Sequence, residues 1–216
     1  MSDPVQNLLE ILGPHINPPV DRVHERIILS AKKRFLEEGF AKVTIEDLCH
    51  SLRISKKTFY KYFKDKEDLV IAIAAHNATL LLPKIAAIHA GNLTPDERFD
   101  RFVDFFFNTL AKNMSVAFLA DLQALIPSLW EAIDAFRMVQ VGNIMQIFKE
   151  GQEAGIYRRD IDPEKFSRIL YLIVSRVVDP KTLYEHGLQL QDIPGLIFKI
   201  VRYGVYERPG KRKGAK

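Results

Sequence analysis

The sequence predicts an all-α protein, and three observations carry that prediction. Apolar residues recur at helical spacing, as in Val23, Ile27, Ala31 and Phe35. Helix-start signals recur along the chain: Thr94-Pro95-Asp96-Glu97 combines an N-cap, a first-turn proline and a capping-box glutamate. Eleven Gly and 11 Pro in 216 residues are too few for a chain of many tight hairpins. No segment alternates as a half-buried strand does, and there is no internal repeat. With 47% hydrophobic and 27% charged residues the chain has enough apolar mass for a core.

Taken in order, residues 1–20 read as an N-terminal extension, loosely held, with Pro4, Pro14, Pro18 and Pro19 around one apolar cluster of Leu8, Leu9, Ile11 and Leu12. Asp21 caps a first full helix that Gly39 stops. Thr44 opens a short second one through Leu52, with Asp47 standing in for the glutamate of a capping box. Ser55 caps a third that buries Phe59 and Phe63, and Asp65 starts a fourth through Leu82 that Pro83 kinks or ends. Further helices are expected from Thr94 to Asn113, Ser115 to Leu125, Pro127 to Ala154, Asp162 to Val178, briefly after Asp179-Pro180, and from Asp192 to Tyr206. This divides the chain into a three-helix unit at 21–66, a larger helical body at 67–207 and a basic tail at 208–216.

Charge is informative only when localised. The formal net charge is +4 and the sequence pI about 9.1, but the tail holds Arg208, Lys211, Arg212, Lys213 and Lys216 with no acid, so the rest is slightly acidic. That tail reads as a solubilising end rather than a DNA arm. Cys49 is the single cysteine, which excludes an intramolecular disulfide framework and fits a reducing compartment. Apolar stretches such as Ile169 to Val174 fall short of the roughly 18 residues of a membrane span. Asp3 and Glu10 precede any Lys or Arg, unlike a secretory signal. A cytoplasmic location without membrane contact is expected.

Catalytic and metal signatures are missing. There is no nucleophile elbow, P-loop or dinucleotide fingerprint. Asp21 with His24 and Asp47 with His50 have helical spacing, but no Glu-x-x-His pair accompanies them. No metal, cofactor or catalytic residue is expected, and the chain does not read as an enzyme.

The informative segment is Thr44 to Lys66, TIEDLCHSLRISKKTFYKYFKDK. Two short helices around a turn of about three residues make a helix-turn-helix, whose second helix enters the major groove. Arg53, Lys56, Lys57, Lys61, Lys64 and Lys66 face one acid, Asp65, in this stretch, a local positive surface for phosphates. The hydroxyls of Tyr60 and Tyr62 can reach phosphate oxygens, and Thr44 and Ser55 can present helix N-terminal amides.

These residues resemble the DNA-binding domain of the TetR family of transcriptional repressors. The resemblance runs from Ile27 to Leu69 and rests on Ala31, Phe35, Gly39 and Phe40; on Thr44, Asp47 and Leu48; on Ser55, Thr58, Phe59 and Tyr60; and on Tyr62, Phe63, Lys66, Glu67 and Leu69. It implies phosphate contacts from Thr44, Tyr60, Tyr62 and Lys66, and places Lys56, Lys57, Thr58 and Lys61 nearest the bases. Arg53 stands where the family usually has Gly, so the turn is expected to differ slightly or carry strain. Lys57 replaces a residue that is often small, and Cys49 replaces a small buried one, where a packing role is expected.

In the body, Phe99, Phe102, Val103, Phe105, Phe106, Phe107 and Leu110, with Leu129, Trp130, Ile133, Phe136, Val141, Ile144 and Phe148, read first as ordinary core. The resemblance implies that part of this surface lines a cavity for a small effector. Phe102, Phe106 and Trp130 are the apolar candidates, and His76, Asn108, Asp121, Gln123, Gln140 and Asn143 the polar ones; sparse charge suggests an apolar or aromatic ligand. Ile169 to Val174 is apolar on both faces, and Ile193, Leu196, Ile197, Ile200 and Val201 exceed one core stripe. The resemblance implies a homodimer through these helices, with Leu170, Tyr171, Val174, Ile197, Ile200 and Val201 at the interface and two recognition helices presented to a palindromic operator. The reading is thus a ligand-responsive repressor on double-stranded DNA; the alternative is a helical small-molecule-binding protein or enzyme without specific DNA binding.

Overall fold

The computed structural model describes residues 4–16, 21–90, 93–105 and 115–205. Among them the elements are α1 (Pro4–Ile16), α2 (Arg22–Glu38), α3 (Ile45–Leu52), α4 (Lys56–Tyr60), α5 (Lys66–Ala90), α6 (Pro95–Asp104), α7 (Val116–Leu125), α8 (Pro127–Glu153), α9 (Pro163–Val177), α10 (Pro180–Glu185) and α11 (Asp192–Val205). Side chains of Asp21, Thr44, Ser55, Thr94, Ser115, Asp162 and Asp179 each accept a backbone N–H from the helix they precede. Each satisfies a first-turn donor that has no intrahelical partner. Thr44 with Asp47, and Thr94 with Glu97, close complete capping boxes.

Three sequence expectations are corrected. The sequence allows a turn or two of helix in a loosely held extension, whereas α1 is a helix of 13 residues that buries Leu8 and Leu12 and packs along α5 and α8. It is no loose extension: its leucines join the same core as Leu129 and Ala132 of α8. Pro83 neither ends nor splits α5, which runs on to Ala90. The residues around the proline, Thr79, Leu80, Pro83 and Lys84, are exposed, so water can serve the carbonyl that lacks a helical donor, while buried Ile85 and Ile88 hold the second half in place. Finally, the longest apolar segment is α5 itself rather than 169–174. Lys66–His89 is long and apolar enough to cross a bilayer by length and composition. Its Leu69, Val70, Ala72, Ile73 and Ala75 are instead buried in the protein core.

Two cores organise the chain. The first joins Ile27, Ile28, Ala31 and Phe35 of α2 to Phe40 and Val43, Leu48, Phe59 and Phe63, the first half of α5, and Leu122, Leu129 and Ala132. The second gathers Ile85 and Ile88 with Phe99, Phe102, Val103, Phe105, Ile144, Ile147 and Leu170. Because α5 contributes to both, it mechanically links the N-terminal unit to the body. The helix predicted to reach Asn113 is described only as far as residue 105; Phe106, Phe107, Asn108 and Leu110, like the basic tail, lie outside the described residues.

Candidate nucleic-acid interface and cavity

Helices α3 and α4 meet at Arg53, which has φ 54° and ψ 45°. This left-handed residue lets its own N–H reach His50 O at 3.1 Å and the Ile54 N–H reach Cys49 O at 3.0 Å, capping α3 and aiming α4. The conformation suits glycine, as the turn expectation required, and Arg53 pays the steric cost of a Cβ there. Arg53→Gly is therefore expected to raise stability by about 0.5–1 kcal/mol, the gain in fit exceeding the added freedom of the unfolded chain. A denaturant titration showing Arg53→Gly less stable than the parent would count against this.

Helix α4 buries Phe59, with Phe63 just beyond it. The opposite side exposes Lys56, Lys57 and Tyr60, and Lys61 and Lys64 are exposed just past the end of the helix. Tyr60 is 54% exposed and stands edge-on to Phe59, at 5.5 Å and 89°, a pose that supports the ring and leaves the outer part in solvent. Lys56 pairs with Glu46 of α3 at 3.1 Å, both well exposed. Such a pair is worth less than about 1 kcal/mol, so a phosphate or base can displace it. Ser55 Oγ accepts the Thr58 N–H at 3.0 Å and lies 2.9 Å from the Thr58 hydroxyl.

Three residues expected at phosphates are occupied internally. The Tyr62 hydroxyl donates to Asp21, the cap of α2; this hydrogen bond is the largest cause holding the Asp21 carboxyl below its usual range. Lys66 Nζ donates to Phe40 O at 2.8 Å, Val43 O at 3.0 Å and Ala41 O at 3.2 Å, and lies over the Phe40 ring. All three ammonium protons thus go to the loop between α2 and α3. The Thr44 hydroxyl and N–H both donate to Asp47 Oδ2, at 2.5 and 3.1 Å. Lys66 clasps the domain, and Thr44 and Tyr62 fix the starts of α3 and α2.

Beneath this face His24 is buried and stacks on Phe63 at 5.0 Å. Burial, then the neighbouring His15, hold its pKa below the ordinary 6.5, against the pull of Asp21. As pH falls below about 6.5 the unfolded chain takes up a proton that folded His24 resists, so stability is full above that pH and declines below it. Melting temperature is expected to fall between pH 7 and 5, and His24→Phe, which keeps the stack, to flatten part of that fall. His89, also held low mainly by burial, acts in the same direction. An unchanged pH slope in thermal melts of His24→Phe would refute the assignment.

In the body a cavity of about 70 Å³ is lined by Phe99, Phe102 and Val103 of α6, Arg137, Gln140, Val141 and Ile144 of α8, Leu170, Tyr171 and Val174 of α9, and Ile197, Phe198 and Val201 of α11. Of the residues expected at an effector, Phe102 and Gln140 are here; Phe106 and Asn108 lie outside the described residues. Asn143 stands behind, its Nδ2 donating to Gln140 Oε1 at 3.1 Å. Trp130 packs in the first core and under Arg137, and His76 lies on α5 away from the lining. Gln123 is exposed and engages Asp179. Asp121 is committed to the N-terminal unit, where its Oδ2 accepts the Ala41 N–H at 2.8 Å.

The interface expectation needs a similar rotation. Leu170, Tyr171, Val174, Ile197 and Val201 face the chain's own cavity, whereas Ile169, Leu172 and Ile173 of α9 and Leu196, Ile200 and Tyr203 of α11 are 43–80% exposed. Of the six residues expected at the interface, only Ile200 lies on this exposed stripe.

The fold and site define a helical protein with a helix-turn-helix unit joined to a larger helical body. The family model for bacterial regulatory proteins of the tetR family matches residues 27–73. The transcriptional regulator AcuR of Cereibacter sphaeroides is 23% identical over 172 residues, 74% of this chain and 76% of that protein. The HTH-type transcriptional repressor NicS of Pseudomonas putida is 24% identical over 145 residues, 65% of this chain and 68% of that protein. Among solved structures, the ketosteroid transcriptional regulator KstR2 of Mycobacterium tuberculosis has a TM-score of 0.63 at 19% identity, covering 89% of this chain and all of that one. Residues 27–73 thus carry a DNA-binding domain of the tetR type, and the rest of the chain shares its helical fold with solved transcriptional regulators.

Proposed function

We propose that this regulator is a cytoplasmic repressor that binds a palindromic operator as a homodimer and is released when a small effector enters the α6–α8–α9–α11 cavity. The observation that carries the DNA-binding part is the exposed face of Lys56, Lys57, Tyr60, Lys61 and Lys64 over a buried Phe59. Lys57 and Lys61, with Lys56 and Thr58, are the base-side candidates; Tyr60, Lys64, Ser55 and the α3 N-terminus at Thr44 meet phosphates, while Tyr62 and Lys66 position them. The division at 21–66 and 67–207 assigns these tasks to the two units, with the first turns of α5 completing the core of the former. Dimerisation is supported by the exposed apolar stripe of α9 and α11, which a twofold mate would cover. The repressor sign is supported by the relative named as one.

Selection from fragmented genomic DNA tests the proposal. Enrichment of one inverted repeat is expected, with a dimer mass at micromolar concentration. Lys57→Ala should relax base preference at one position of each half-site by about 1–3 kcal/mol. Retention of DNA without sequence preference, or a stable monomer, would favour a small-molecule-binding protein of another kind.

A further inference from the structure

Resting on the reading of α4 as the helix that meets the operator, we infer that α1 is a strut between the body helix α8 and the far end of the helix-turn-helix, and that His15 is the positioning residue through which it sets that end. Two observations meet in α1. Along its length, Leu8 and Leu12 are buried in the core that contains Leu129 and Ala132 of α8. At its C-terminal end, His15 Nε2 donates to Asp68 Oδ1 at 2.7 Å, with the His15 side chain only 11% exposed.

Asp68 passes this contact on. Its Oδ2 accepts the Lys64 N–H at 2.9 Å, and its own N–H donates to Asp65 Oδ1 at 2.7 Å. Both carboxylate oxygens are therefore engaged, one by α1 and one by the backbone just past α4. The His15 ring also stacks on Phe63 at 6.3 Å and 30°, and Phe63 lies 5.6 Å from Phe59, the buried residue of α4. A polar and an apolar path thus run in parallel from His15 to the end of α4.

Such support matters because α4 has five residues, too few to hold a helix by its own hydrogen bonds. The direction in which Lys56, Lys57 and Tyr60 point is set by what grips the unit at each end. Before α3, Asp121 of α7 holds the Ala41 N–H; after α4, His15 of α1 holds Asp68 and Phe63. Almost enclosed, His15 acts on DNA through these two residues rather than by contact. Because Gln140 and Ile144 of α8 line the cavity, a displacement of α8 reaches α4 through α1 as well as through α5.

The test uses the full chain, the operator fragment recovered by selection and a scrambled fragment of equal length. His15→Leu keeps bulk against Phe63 but removes the donor. It is expected to weaken operator binding about 5-fold, the worth of one hydrogen bond, with binding to the scrambled fragment and the salt slope unchanged. His15→Gln, which returns an N–H near the Nε2 position, should restore most of the loss. Leu12→Ala, at the α8 end, should weaken operator binding too, and the double variant should lose less than the product of the two, because either change alone frees the strut. Reciprocity gives a check on the parent chain that needs no variant to fold: bound operator should slow amide exchange in residues 8–16. The inference is overturned by operator affinity within about 2-fold of the parent in folded His15→Leu, by an equal loss on both fragments, by strictly multiplicative losses, or by exchange in α1 that operator leaves unchanged. A parent chain that selects no operator refutes instead the operator-binding reading itself.

Discussion

Lys66→Met is expected to lower the unfolding free energy by about 2–3 kcal/mol, or roughly 4–10 °C in melting temperature for a chain of this size. It should leave the salt dependence of operator affinity unchanged in the protein that remains folded. Methionine keeps a stem over the Phe40 ring but removes the ammonium that serves Phe40 O, Ala41 O and Val43 O. The carbonyls of Phe40 and Val43 are partly buried, so water replaces the lost donor incompletely. A lysine that neutralised a phosphate would behave in the opposite way. Its loss would cost little stability and would reduce the slope of log affinity against log salt by about 0.9 per contact, the result expected for Lys64→Met. A reduced slope for Lys66→Met at unchanged stability would restore the phosphate role.

The contrast between Lys66 and Lys64 marks how far the sequence could be read. Caps and stops were legible because they are local: Asp21, Thr94 and Asp162 act on residues two or three positions away, and the left-handed Arg53 follows from the length of one turn. The DNA-binding helix was legible for the same reason, since Phe59 and Phe63 are buried and their lysine neighbours exposed by helical periodicity alone.

What the sequence does not show depends on partners that arrive from elsewhere in the chain. Lys66 is turned inward by carbonyls about 25 residues earlier, Tyr62 by a cap 41 residues earlier, and Asp121 by a backbone N–H 80 residues away. Periodicity lists donors but not the direction in which tertiary contacts will aim them. In α9, apolar residues on both faces left two stripes equally eligible, and only the packing against α6, α8 and α11 turns Leu170 and Val174 inward and Ile169, Leu172 and Ile173 outward. The apolar cluster in residues 8–12 shows a short helix by its spacing, but that Leu8 and Leu12 bury together against α5 and α8 is decided by those distant helices.

Gly39→Ala is expected to destabilise the protein by about 2–4 kcal/mol, through two separable causes. Gly39 ends α2 at φ 83° and ψ 145°, near a backbone region that residues with a Cβ enter only at a cost of about 1–3 kcal/mol. A Cβ there would also stand 3.0 Å from Asp121 Oδ2, and that oxygen is held by the Ala41 N–H at 2.8 Å. Retreat of Asp121 would therefore stretch a contact between the body helix α7 and the loop that Lys66 clasps from α5. The backbone cost is a property of Gly39 alone, but the steric cost requires Asp121. Asp121→Ala by itself should cost about 0.5–1.5 kcal/mol, the net value of the lost hydrogen bond. In its presence Gly39→Ala should cost less than in the parent, with a coupling of about 1 kcal/mol in a double-mutant cycle measured by denaturant unfolding. Additivity within about 0.3 kcal/mol would mean that the two residues do not touch in solution, and that the loop is joined to the body by Lys66 and the shared core alone.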